Sequence, residues 1–455
     1  MPEMRVYPLT GYPEEIISVA FAKASRSPKP FDEMVKETSD ETSRKFHEKW
    51  VLAYGHSSVA EHAVLHLAAE NVSRLAIESI EENRLGSYTE KSTRYQVLDK
   101  EHSHIPEEIK GSPLERTFSS ARDTLFSAYS ESLETLKEHF RSAIEKRQGE
   151  SDKAYELRLK LEALDNARFL LPNATLANVG ITMNARELRH AAVKMLSHPL
   201  AEVRALGKKI SESGVGVTPT LLEGVSENPG INAIRDGLRG AFSSLSGNAE
   251  KKVSLIKYPG DAVERLCAAL TYRWSGIPFS KAFEGAKALP PEEKKKIIEK
   301  VVSQFPKGTG PTREFEHVYY TFDLVMDQGA YYEFKRHRML TISPQEITVA
   351  LGHRLPEAFE KAGTGKNFED AMKASAEAFS AIKEEHPFAA PYIATNAHYR
   401  RVLATLNLRE LRHFVKIRSA PFAHQTIREL ALEMQEEVRK VHPEFSLFLN
   451  FGGRK

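Results

Sequence analysis

Several groups of side chains in this sequence have the types and spacing to bind a phosphorylated, hydrogen-bonding ligand. In ENRLGSYTEKSTRY (Glu82 to Tyr95), Glu90, Ser92 and Arg94 alternate, so an extended stretch places all three on one face. Arginine pairs with phosphate, serine donates to it, and a carboxylate accepts from sugar hydroxyls. The same alternation also describes an ordinary solvated strand face. KRHR (Lys335 to Arg338) is a dense positive cluster near the end of an expected helix. It reads either as favourable charge at a helix C-terminus or as a phosphate clamp. RRVLATLNLRELRHFVKIRSAP (Arg400 to Pro421) adds Arg401, Arg409, Arg412 and Arg418, and Arg409 neighbours both Arg412 and His413 on one helix face.

In GHSSVAEH (Gly55 to His62), Ser58 followed by Glu61 is a capping-box pattern. His56, His62 and His66 could offer imidazoles to a metal, but the carboxylate is misplaced for HExxH and the segment alternates like a strand. A capped turn carrying a functional His56 is the preferred reading, and no metal is expected. GTGKN (Gly363 to Asn367) lacks the spacing and the Ser/Thr of a P-loop. No GxGxxG follows a strand, so a dinucleotide here is not held by the Rossmann device.

The elements that position these groups occur twice. LTGYPEEIISVAFAKAS (Leu9 to Ser25) and LIKYPGDAVERLCAALT (Leu255 to Thr271) share a short apolar strand, a Tyr-Pro turn and a helical pattern. Ala60 to Arg84 and Phe315 to Arg338 share Glu-His, an alternating strand and a helix ending in polar residues. NARELRHAAVKM (Asn184 to Met195) and NLRELRHFVKIR (Asn407 to Arg418) each open on an asparagine able to cap a helix. Three matched blocks in one order indicate duplication. The first copy carries an extra charged helical stretch from Pro113 to Ala163. We expect units at 1–222 and 253–455, joined by a connector at 223–252 with a helical piece in its middle. Strands do not alternate regularly with helices, so the fold class is α+β, with a mixed or antiparallel sheet and long helices in each unit.

The bulk composition narrows the function classes. A formal net charge of +2 on 455 residues argues against a strongly electrostatic nucleic-acid binder. The single cysteine, Cys267, excludes an intramolecular disulfide and a CxxC metal framework. No apolar run approaches the ~18 residues that span a bilayer, and MPEMRVYPLT lacks the apolar core of a signal peptide. A cytoplasmic location and no membrane partner are expected.

Together these motifs resemble the flavin-dependent thymidylate synthases. That family is marked by GHxSxxEH, RHRxxSxNExSxRY, ARxxLP, and NxR leading to Leu-x-Leu-Arg. Both halves carry versions, and they have kept different parts. The first half keeps GHSSVAEH in full, with Arg84, Ser87, Glu90, Ser92, Arg94 and Tyr95, and Arg168 in ARFLLP. It has lost the leading Arg-His to Glu82 and Asn83, and has Met195 at the final arginine. The second half keeps Arg336, His337 and Arg338, Asn407, Arg409 and Arg418, and Arg400 is matched to the ARxxLP arginine. It has Pro311 and Arg313 in the GHxS turn, and Pro344, Glu346 and Thr348 where the family has Glu, Ser and Arg.

The resemblance implies an enzyme that converts dUMP to dTMP, with FAD, NADPH and methylenetetrahydrofolate. Family members are homotetramers with shared sites, so a fused pseudo-dimer here would pair as a homodimer that mimics the tetramer. By the same resemblance, Arg418 stabilises the N3-deprotonated uracil and His56 stands near flavin and folate. Arg336, His337, Arg338, Ser58, Asn407, Arg409 and His413 hold FAD. Glu90, Ser92, Arg94, Arg400 and Arg418 seat the nucleotide. The complementary losses imply composite sites drawing on both units, of which one class is live. The rivals are an enzyme acting on another pyrimidine nucleotide, a non-catalytic flavin or nucleotide binder, and an RNA-binding protein using Arg400 to Arg418.

Overall fold

Residues 4–241, 251–305, 310–421 and 423–451 are described by the structure, a computed structural model. The chain divides into two compact units that do not follow the sequence halves strictly. The first is built mainly from the first half but includes Lys373–Ile393, and the second is built mainly from the second half but includes Asp165–Leu170.

In the first unit a three-stranded antiparallel sheet has the order β1 (Val64–Ser73), β3 (Leu176–Asn184), β2 (Ser87–Glu90). In the second, four strands run β4 (Val253–Lys257), β5 (Tyr319–Asp327), β7 (Tyr399–Asn407), β6 (Thr341–Pro344). The registers repeat. Val64 lies opposite Asn184 as Tyr319 lies opposite Asn407, and Glu90 lies opposite Val179 as Pro344 lies opposite Val402. Inward side chains alternate along β7, burying Val402, Ala404 and Leu406, as a one-faced sheet requires.

The first-half strand expected before Tyr12-Pro13 does not form; β4 is its counterpart in the second half. Pro8 has no N–H to give a ladder, and Arg5 and Tyr7 instead hold the Asp32 carboxylate at 2.8 and 3.0 Å. The connector holds a helix at Pro229–Ala241, and its residues 242–250 lie outside the described residues. The charged stretch of the first half is two helices, Pro113–Ala143 and Asp152–Ala167.

The strand-to-helix junctions form as their sequences require. Ser73 and Asp327 accept from the N–H groups of Ala76 and Ala330, starting the helices Arg74–Glu81 and Gln328–Phe334. Asn184 and Asn407 accept from the N–H groups of Glu187 and Glu410, starting Ala185–Leu196 and Leu408–Arg418. Each cap satisfies one of the donors a helix start leaves open. In the second unit the helices Ala262–Ser275, Leu408–Arg418 and Gln425–Val441 pack on the sheet around buried Phe315, Phe322, Phe334 and Phe414. Rings of this size each contribute about 1.5–3 kcal/mol on burial, so the helix that ends at Arg418 rests on a rigid base.

Candidate functional site

Arg336, His337 and Arg338 follow the helix Gln328–Phe334 after its C-cap Lys335. His337 is buried, and the ring of Phe414 stands edge-on 4.9 Å away. Arg418, the last residue of its helix, donates Nε–H to His337 Nε2 at 3.0 Å. The opposite ring nitrogen, Nδ1, lies 3.2 Å from Glu410 Oε1. Arg418 also donates from Nη1 to the Glu333 carboxylate at 2.8 Å and from Nη2 to the Glu333 carbonyl at 3.0 Å. Burial pulls the Arg418 pKa below the usual guanidinium value, the Glu333 charge opposes this, and Arg336 adds to it. A guanidinium so lowered still holds its proton at neutral pH.

A second arginine shares this carboxylate. Arg168 Nη2 lies 3.6 Å from Glu333 Oε1, and its Nε lies 3.1 Å from Asp165. Arg168 belongs to the first half by sequence but to the second compact unit, where it is buried and Nη2 has no hydrogen-bond acceptor among the described residues.

The position corresponding to Arg168 in the second half corrects one motif match. Arg168 precedes Asn184 by as many residues as Pro391 precedes Asn407, and both open short 3-10 turns or lie within them. Arg400 instead lies on β7, at the position that Ala177 holds on β3. Its guanidinium stacks 4.4 Å from the centre of the Tyr331 ring and donates to the Gln345 carbonyl at 2.8 Å.

Beside this cluster a cavity of about 440 Å³ is lined by Asn407, Arg409, Arg412, His413 and Lys416, by the carboxylates Glu316 and Glu410, and by Gly310, Pro311 and Met339. Arg409 pairs with Glu316 at 2.6 Å. Burial would raise the Glu316 pKa, but the bonds from Arg409 and Arg313 bring it below the ordinary carboxylate value. Arg412 lies 4.7 Å over Phe448 and 4.8 Å over Phe451. Arg409, Arg412 and Arg418 thus each have a partner within the protein.

In the first unit the Glu90 side chain is buried and pairs with Arg74 at 3.1 Å. β2 ends at Glu90 and a turn begins at Thr93, so Glu90, Ser92 and Arg94 do not lie along one extended strand face as expected. The Ser92 hydroxyl accepts from the Arg94 backbone N–H at 3.2 Å, a local bond that serine offers in competition with strand pairing. GHSSVAEH also differs from expectation. Ser57–His62 is a 3-10 turn without a side-chain cap, and Glu61 pairs with Arg186 instead of reaching back. His56 and Ser58 line one cleft with His62, while His66 on β1 meets Thr182 at 2.9 Å. Among the described residues no group of three or more His, Cys, Asp or Glu could hold a metal ion, and no helix is long and apolar enough to cross a membrane.

The lost residues of the first half have structural duties. Met195, at the position of Arg418, is buried in the core, and Asn83, at the position of His337, bonds the Ser79 and Ile80 carbonyls at the end of its helix. Sequence reasoning gave no role to Glu333, Glu410 or Asp165. Glu410 stands inside the RELRH block, which was the available signal; Glu333 and Asp165 carried none.

A duplicated α+β chain, with a capped helix delivering an arginine onto an Arg-His-Arg turn, is the class this fold and site define. The chain belongs to the thymidylate synthase complementing protein family, whose model matches residues 8–220 and again 254–444. A UPF0159 protein of Thermoplasma acidophilum is 28% identical over 453 residues, covering 91% of this chain and 90% of the relative. A flavin-dependent thymidylate synthase of Clostridium tetani is 31% identical over 226 residues, 49% of this chain and 85% of that enzyme. A flavin-dependent thymidylate synthase structure from Helicobacter pylori, complexed with FAD and dUMP, covers 45% of this chain and all of its own at 18% identity. Its TM-score of 0.33 is too low to carry a functional inference.

Proposed function

We propose that this protein methylates a dUMP-like nucleotide at C5, using FAD, methylenetetrahydrofolate and NADPH. The observation that carries the reading is the bond between Arg418 and His337, which joins two motifs far apart in sequence. A guanidinium on a rigid helix end, partly desolvated, suits the negative charge that a uracil deprotonated at N3 would bear.

The donors of the cavity at Asn407, Arg409, Arg412, His413 and Lys416 suit a phosphate-bearing flavin, its two carboxylates being engaged already, Glu316 by Arg409 and Glu410 by His337. Arg336, His337, Arg338 and Ser58 complete our assignment for that cofactor. When bound, the flavin supplies the redox chemistry, and the protein positions and polarises. Glu90, Ser92 and Arg94 seat the nucleotide, with Arg94 on its phosphate; Arg168 joins Arg418 in the role first matched to Arg400. His56 stands at the carbon-donor side. The functional units are 1–222 and 253–455 with the connector 223–252. The working assembly is a cytoplasmic homodimer.

Purified protein with flavin absorbance, or one that gains it on incubation with FAD, and that also binds dUMP, supports this reading. A colourless protein that takes up neither FAD nor dUMP overturns it.

A further inference from the structure

A hollow of about 470 Å³ opens on the outer face of the second unit's sheet, beside the Tyr258-Pro259 turn that follows β4. Strand register builds its floor. Lys257 on β4 lies opposite Thr321 on β5, and Thr321 lies opposite Thr405 on β7. Cross-strand neighbours share a face, so these three side chains stand in one row. Tyr319, two residues before Thr321, projects from the same face. The two threonine hydroxyls bond each other at 2.9 Å. Arg265, His317 and Tyr258 complete the lining, and the Tyr258 ring stands edge-on 5.6 Å from that of His442. No carboxylate lines the hollow; Asp261, outside the lining, holds Arg265 at 2.7 Å. Among the described residues, Lys257, His317 and the phenol groups of Tyr258 and Tyr319 have no side-chain hydrogen-bond partner.

The first copy differs at these positions. Lys257 and Arg265 fall at Gly11 and Val19 of the matched block, and Tyr319 and Thr321 at Val64 and His66 of the matched register. β4 has no counterpart there, and Glu14 brings a carboxylate to the Val64 N–H at 3.2 Å. The repeat therefore folds without this set of donors. None of them is among the residues assigned above to flavin, nucleotide or carbon donor.

We propose that this hollow binds a nucleoside phosphate, with the base against Tyr258 and Tyr319 and the phosphates on Lys257, Arg265 and His317. Aromatic faces accept bases with little preference among them. Ammonium, guanidinium and imidazole groups donate to phosphate, and a concave surface lined by cations without carboxylates draws anions in. This site is separate from the proposed methylation and does not rest on it.

Calorimetric titration of the full chain tests this, with FAD and dUMP present in excess so that their own sites are filled. The probes are ATP, dTTP and inorganic triphosphate, each at low and high salt. At least one nucleotide should bind about tenfold more tightly than triphosphate, the difference being base stacking. Its affinity should fall about tenfold in Lys257→Ala/Arg265→Gln, as expected for lost charge-assisted bonds, and again in Tyr258→Ala/Tyr319→Ala. FAD and dUMP affinities should stay. Tyr258→Phe/Tyr319→Phe, which keeps both rings, should retain nucleotide binding and guards against misfolding. Preference between ATP and dTTP tells a purine ligand from a pyrimidine one. Binding of neither nucleotide, triphosphate binding as tight as theirs, or binding indifferent to Lys257 and Arg265 overturns the proposal. So does a loss that sedimentation traces to a change of oligomeric state, which would make this face a contact between copies. Nucleotide binding that depends on these residues, in a chain that takes up neither FAD nor dUMP, would instead overturn the methylation reading alone.

Discussion

His337 receives a hydrogen bond from Arg418 at 3.0 Å on Nε2, and this fixes the state of the imidazole. Nε2 must be unprotonated to accept, so Nδ1 carries the proton and donates to Glu410. Burial pulls the His337 pKa down, the bond to Glu410 opposes it and the charge of Arg418 adds to it. The ring is therefore neutral, and Glu410 orients Arg418 through it. Glu410→Ala should weaken dUMP binding by roughly tenfold, the worth of one buried charge-assisted bond. Glu410→Gln, which keeps an acceptor for Nδ1–H, should restore most of it. Nitrogen NMR of His337 checks the tautomer, and equal losses in both variants would contradict the orienting role.

Arg94→Ala and Arg418→Ala should each abolish nucleotide binding, whereas Thr348→Ala should leave it unchanged. Mixing the two inactive chains tests where the composite site draws its halves. If one site takes Arg94 from one chain and Arg418 from another, a mixed dimer regains one live site of two. If both arginines serve a site within one chain, mixing restores nothing. Turnover of the mixture after unfolding and refolding together reads the difference.

Glu333 meets two guanidinium groups, the buried Arg168 and the part-buried Arg418. Removing this carboxylate takes from Arg418 its carboxylate partner and leaves Arg168 with Asp165. Glu333→Ala should cost about 3 kcal/mol of stability, the usual size when one partner of a buried pair is lost. Glu333→Gln should cost less. Urea unfolding measures both, and added dUMP should stabilise the alanine variant if the nucleotide places negative charge there.

Much of this arrangement was legible in the sequence, and the parts that were not share a cause. The caps Asn184 and Asn407, the long strands and the repeat itself follow from local rules of spacing and hydrogen bonding. Arg418 and His337 were marked by motif. Glu333 and Asp165 were not, because a carboxylate that pairs with a distant arginine leaves no local pattern. Pro8 cancelled a strand that its neighbours favoured. Ser92 turned the backbone out of the strand that would have aligned it with Glu90 and Arg94. Arg168 was read within the first half, and chain order alone could not reveal the unit to which it folds.

Acid should destabilise the second unit through His398. Burial drives its pKa down to about 3, with the neighbouring His353 charge adding and the Thr395 backbone bond opposing. The unfolded imidazole titrates near ~6.5, so between these values the unfolded chain binds the proton and the folded chain does not. Stability is complete above the unfolded value and falls as pH drops toward about 3. Asp327 acts oppositely: burial raises its pKa to about 6, so its contribution is present at low pH and fades as pH rises through that value. His398→Gln should flatten the acid limb of a urea-midpoint profile, and an unchanged slope would show that other groups govern it.

The exchange of Asp165–Leu170 and Lys373–Ile393 between the compact units constrains how the protein can be made. A growing chain folds its earlier portions first, yet here the first unit lacks a segment until Ile393 has been synthesised. Two genes encoding the halves separately would yield polypeptides that each lack a piece of their own compact unit.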